Sequence, residues 1–124
     1  MEQFKEMTIK RPPTYRMPSL DLSGAWLENF GFKPNTLVSV MYTDACLTLQ
    51  TGLTDFSGSD APHASHVIMV KSKRVRLRPR TQLLLDGFLL KRYGFDVGDR
   101  IVLHIKPNII QITRITHFTT ALSA

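Results

Sequence analysis

The chain has 124 residues, 43% of them hydrophobic and 21% charged, a formal net charge of +6 and one cysteine, Cys46. That is enough for one compact domain with a core. It excludes an intramolecular disulfide framework and a cysteine-based zinc cluster, and no apolar run reaches the ~20 residues of a membrane helix.

The opening, MEQFKEMTIK, has no apolar signal-peptide core, so a cytoplasmic location is expected. MTIKR reads as a first strand, and residues 19–22 as a second. Ser23 is then a candidate N-cap. Trp26, Leu27 and Phe30 follow at helical spacing, and Gly31 sits where a left-handed residue stops a helix. Val38, Val40 and Tyr42 alternate with Ser39 and Met41, the period of a half-buried strand, and residues 46–50 read as its return. TGLTDFSGSDAPHAS, residues 51–65, has linker composition. A second series follows: VIMVKSKR as a strand, another at 82–85, and a helix capped by Asp86 and stopped by Gly94. Ile101, Leu103 and Ile105 alternate on a further strand, and 109–115 return. THFTTALSA, residues 116–124, reads as a frayed tail.

The second series repeats the first. A shift of 63 places carries Leu20, Leu22, Gly24, Leu27, Gly31 and Phe32 onto Leu83, Leu85, Gly87, Leu90, Gly94 and Phe95. Val38 and Val40 land on Ile101 and Leu103, and Leu47 and Leu49 on Ile110 and Ile112. No gap is needed, and Lys10-Arg11 land on Lys73-Arg74. The expected organisation is a single domain: repeat one at 4–50, the linker, repeat two at 66–115, and the tail. Neither unit of about fifty residues can cover both faces of its own hairpins, so the two are expected to pack as an intrachain pseudo-dimer, with a further homodimer of the chain left open.

Residues 15–50, YRMPSLDLSGAWLENFGFKPNTLVSVMYTDACLTLQ, resemble the SymE family of type I toxin–antitoxin toxins. The matching features are the proline before a short strand, the Gly-x-Trp-Leu helix start, the Gly-Phe stop, the Val-x-Val strand and the Cys-x-x-Leu return. The resemblance covers about a third of the chain, and the second half follows it more loosely. It implies a mainly β fold with two short helices, an AbrB/MazE-like swapped-hairpin β-barrel built from two ββαββ repeats. It also implies a nucleic-acid-binding toxin that acts on RNA as an endoribonuclease. The alternative is an AbrB-like DNA-binding regulator or nucleoid-compacting protein without catalysis. The family pattern departs at Asn35 and Ala45, which stand at usual glycines, and in the duplication itself.

The second half carries the basic run KSKRVRLRPR: Lys71, Lys73, Arg74, Arg76, Arg78 and Arg80. Read as one strand, the four arginines at every second position share a face and can track phosphates. Pro79 is expected to end ladder pairing. Lys10 and Arg11 join the candidate site as symmetry mates of Lys73 and Arg74, giving an asymmetric contact with RNA or DNA dominated by the second half. The competing reading is a charged edge strand that serves solubility and blocks aggregation.

No catalytic constellation emerges. His63 and His66 fall in or beside the linker, His104 on a strand and His117 in the tail; each reads as a solvated histidine rather than a general base. Glu28 and Asp44 lack a partner acid. Cys46 aligns with Ile109 and reads as buried and inert, and Trp26 aligns with Leu89 and reads as core. No metal site, cofactor or membrane partner is expected.

Overall fold

The computed structural model describes residues 2–11, 17–43, 45–52, 66–75 and 78–115. The linker from 53 to 65, the tail, His63, Asp44, Arg76 and His117 lie outside the described residues. So do Tyr15 and Arg16, at the start of the SymE-like stretch. The fold is mainly β, with two antiparallel sheets and two short helices. The elements are β1 (Gln3–Thr8), β2 (Leu20–Ser23), α1 (Trp26–Asn29), β3 (Leu37–Thr43), β4 (Cys46–Gln50), β5 (His66–Met69), β6 (Lys71–Val75), β7 (Arg78–Leu85), α2 (Gly87–Arg92), β8 (Arg100–Lys106) and β9 (Ile109–Ile115). One sheet has the order β1-β8-β9-β4-β3-β5, the other β2-β7-β6.

Each half lends its first strand to the other. β1 pairs with β8, β5 with β3, and β2 with β7. The centre of each sheet carries a pseudo-twofold relation. Advance the β4–β9 pair Cys46–Thr113 by 63 and it becomes Ile109–Gln50, another rung of the same ladder. Leu20–Leu85 likewise becomes Leu83–Leu22.

Period-two alternation turns one face of each sheet inward. Val38, Val40, Leu47, Leu49, Ile101, Leu103, Ile110 and Ile112 meet Leu20, Leu22, Leu83 and Leu85 in one core, closed by Leu27, Phe32, Leu90 and Phe95. Each such side chain contributes roughly 1.5–3 kcal/mol of burial.

The expected closed barrel does not form. At Ile9 and Val70 the chain leaves the larger sheet for the smaller one. There the backbone bonds loops instead of strands: Ile9 donates to Asp99 O and accepts from Gly98 N, while Val70 donates to Thr36 O and accepts from Asn35 N. With those groups committed to loops, the ladder breaks at both corners and two open sheets result.

Both helices stop as the sequence indicates. Gly31 and Gly94 have φ of +95° and +83°. Phe32 N–H reaches Leu27 O, and Phe95 N–H reaches Leu90 O, each at 2.9 Å, the paired bonding of a left-handed helix stop. The starts differ. Asp86 caps α2, accepting from Leu89 N–H at 2.9 Å. Ser23 does not cap α1, whose N-cap is Ala25 with no side-chain bond. Gly24, at φ +128°, instead turns the chain so that its N–H donates to Thr81 O at 3.0 Å. α1 therefore begins two residues later than the sequence match suggests.

The gapless alignment also needs correction. Met7 pairs with Ile101, and Ile68 with Val38. Because Val38 corresponds to Ile101, Ile68 stands in for Met7, a shift of 61 and not 63. The lag persists to the corner, where Lys10 bridges Ser19 while Lys71 pairs with Gln82. The second hairpin thus holds two residues more than its counterpart. Lys10 corresponds to Lys71, and Arg11 to Ser72; neither matches Lys73-Arg74.

Candidate nucleic-acid interface

The basic run is a hairpin rather than one strand. β6 and β7 pair as Lys71–Gln82, Ser72–Thr81, Lys73–Arg80, Arg74–Pro79 and Val75–Arg78. Thr81, Leu83 and Leu85 are buried, so the odd positions of β7 face the core. Arg78, Arg80 and Gln82 face outward, with Lys71 opposite Gln82. Position 73 stands opposite Arg80, whereas position 74 pairs with Pro79. Position 74 is therefore out of register phase with Arg78 and Arg80, and Arg76 lies outside the described residues. The face that forms joins Lys71, Arg78 and Arg80, with Lys73 at the register position beside Arg80.

Pro79 lies inside the ladder, contrary to expectation. The Thr81 carbonyl points toward the β2 side of β7, where it accepts from Gly24. Pro79 is two residues earlier and in the same phase. Its nitrogen points past the end of β2, where no strand calls for an N–H. An unpaired edge tolerates proline for that reason.

Elsewhere some cations are committed, while Lys33, Lys91 and Arg92 are scattered, exposed and without an ion pair among the described residues. Arg100 pairs with Glu6, and Arg114 donates to Gly94 O and stands 3.6 Å from Asp99. Lys5 sits 4.2 Å above the Trp26 ring. Among the described residues, Lys10, Arg11, Lys71, Arg78 and Arg80 have no ion pair and are all exposed. Lys10 flanks the β2 side of the smaller sheet, and the hairpin forms the other flank. Between them Asp21 accepts from Gln82 Nε2 at 3.0 Å. Three strand spacings of about 4.8 Å and a four-residue offset along the strands place Lys10 and Lys71 roughly 20 Å apart.

The catalytic candidates are dispersed. His104 is half-buried on the outward face of the larger sheet, 2.8 Å from Glu2 Oε1 and stacked on Phe4 at 4.2 Å between centroids. Glu28 accepts from the Thr81 hydroxyl at 2.9 Å, a cross-link between the halves invisible in the sequence. Trp26 packs at the core's margin and donates to Ser23 O at 3.0 Å. Cys46 is half-buried, not buried as expected, because β4 turns Leu47 and Leu49 inward and leaves Cys46 in the outward phase. Among the described residues, no group of three or more His, Cys, Asp or Glu could hold a metal ion. No helix is long and apolar enough to cross a membrane.

No protein-family model, curated protein or solved structure matches the chain.

Proposed function

We propose that the chain binds nucleic acid through the β6–β7 hairpin, as a SymE-like protein of the AbrB-type swapped-hairpin group whose two repeats pair within one chain. The observation that carries this reading is the set of exposed, uncommitted cations, Lys71, Arg78 and Arg80, on one face of a projecting hairpin. Guanidinium groups freed from carboxylates are available for bidentate contact with phosphate. The exchange of strands between halves supports the swapped-hairpin reading. The contact is lopsided: the first half supplies Lys10 and Arg11 and no counterpart to Arg78 and Arg80.

Binding without cleavage, as in a DNA-binding regulator or nucleoid-compacting protein, is favoured over an RNA-cleaving toxin. Metal-independent RNA cleavage needs a base, an acid and a cation around one phosphate. His104 is oriented by Glu2, but it lies on the larger sheet while the basic face belongs to the smaller one.

The test is the Lys71→Glu, Arg78→Glu, Arg80→Glu triple variant, titrated with matched DNA and RNA duplexes and single strands over a salt series. Binding is expected to fall at least a hundredfold, with the log–log salt slope reduced by about three. Lys10→Glu with Arg11→Glu costs less, roughly tenfold. A folded triple variant that binds like the parent overturns the proposal. RNA cleavage by the purified chain, lost on His104→Ala, would restore the nuclease reading.

A further inference from the structure

The corrected correspondence brings two ends of the molecule into register. At the first end, the β1 edge carries Glu6 and Thr8, β8 carries Arg100, β2 carries Asp21, and Ala25 precedes α1. The matching positions at the other end are Val67, Met69, Leu37, Leu84 and Phe88. Four charged or polar residues and an alanine are thus matched by five apolar ones. Those five are among the most exposed large apolar residues described: Val67 44%, Met69 45%, Leu37 43%, Leu84 45% and Phe88 80%. Exposed apolar residues gathered at one place mark an interaction surface.

The shape of this end is self-complementary. Phe88 projects from the first turn of α2. Beside it runs an apolar groove of about 380 Å³, floored by Met17, Pro18, Leu84 and Gly87. Gly87 keeps that floor low, since a Cβ there would stand 2.4 Å from Met17 Cβ. On the other side of Phe88 a second hollow is lined by Ile68, Leu84, Leu89 and Arg92, with Asp86 bordering both. A projecting aromatic next to a groove able to receive one is what a twofold contact between identical surfaces requires. The rim carries Asp86 and Arg92, opposite charges that a twofold contact can pair between copies. At the first end Ala25 holds the matching place, and the ring of its neighbour Trp26 is covered by Lys5.

The geometry points to a second copy of this chain as the occupant: a closed C2 homodimer in which Phe88 of each copy seats in the groove of the other. Because a twofold contact uses the same patch on both copies, and among the described residues this apolar surface forms at one end, the contact closes at two copies and does not propagate into a filament. The dimer carries two β6–β7 hairpins where the single chain carries one. The inference does not rest on the nucleic-acid reading.

The experiment is sedimentation equilibrium of the full chain, nuclease-treated and in high salt, from low to high micromolar concentration. High salt removes bridging nucleic acid and leaves an apolar contact intact. The parent is expected to pass from monomer to dimer and no further. Phe88→Asp is expected to stay monomeric throughout, with an unchanged circular dichroism spectrum and, at concentrations where the parent is monomeric, the parent's thermal midpoint. Its side chain is exposed, and an aspartate in the first turn suits the helix. Ala25→Asp, at the matching place in the first half, should dimerise like the parent. A parent that is monomeric throughout, a Phe88→Asp variant that still dimerises, or growth beyond two copies would each overturn the proposal.

Discussion

The two halves share a backbone path and differ in what they attach to it. Where the first half carries Leu20, Leu22, Leu27 and Phe32, the second carries Leu83, Leu85, Leu90 and Phe95, all buried. Between those anchors the halves part company. One has the charged β1 edge and an α1 without a side-chain cap. The other has the apolar β5 edge, a capped α2 and a longer, basic hairpin. Buried positions are held by packing, where a single methylene is felt, while exposed positions are free to take on separate tasks.

That comparison is sharpened first in the core. Leu27 and Leu90 fill matching places and are each fully buried. Leu27→Ala and Leu90→Ala should each cost about 2–5 kcal/mol in urea unfolding. Agreement within about 1 kcal/mol is expected if the two halves of the core are equivalent, and a wide gap would break the symmetry where it looks strongest.

The helix stops should separate the halves. A Cβ on Gly31 would lie 2.2 Å from Asn108 Oδ1, in the place where Thr51 and Asn108 join the halves by a 3.0 Å hydrogen bond. A Cβ on Gly94 would meet only Arg114 Nη1, at 3.9 Å. Both glycines need positive φ, which costs an alanine about 1–2 kcal/mol. Gly94→Ala should lose that much, and Gly31→Ala about 3 kcal/mol, because the Thr51–Asn108 link must also move. Equal losses would show that the turn yields without resistance.

The smallest contrast lies at the helix starts. Asp86→Ala removes a cap and should cost about 1 kcal/mol. Ser23→Ala should change stability by less than about 0.3 kcal/mol, since the bond to Trp26 uses the Ser23 main-chain oxygen, which alanine retains. Thermal midpoints of the two variants provide the measurement.

Much of the fold was legible because its signals are local. Gly31 and Gly94 announce helix stops through the conformation that only glycine adopts cheaply. Asp86 announces a cap, and the alternation at 101–105 announces which face is buried. The site was legible in composition and misread in geometry. Six cations in ten residues mark a basic segment, but the segment pairs with itself as β6 and β7, and the register puts position 74 opposite Pro79, out of phase with Arg78 and Arg80.

The sequence by itself determined the repeat, the helix stops, the inward face of β3 and β8 and the concentration of charge in the second half. The tertiary structure alone decided that β1 pairs with β8 and β5 with β3, that the chain turns between two open sheets at Ile9 and Val70, and that the halves are offset by two residues from the hairpin back to the first strand. The reason is the period of the strand. A slip of two residues returns every side chain to the face it had before, so the apolar pattern is unchanged and carries no record of the slip. Only the hydrogen-bonded partner across the ladder differs, and that partner lies about a hundred residues away for β1 and about thirty for β5.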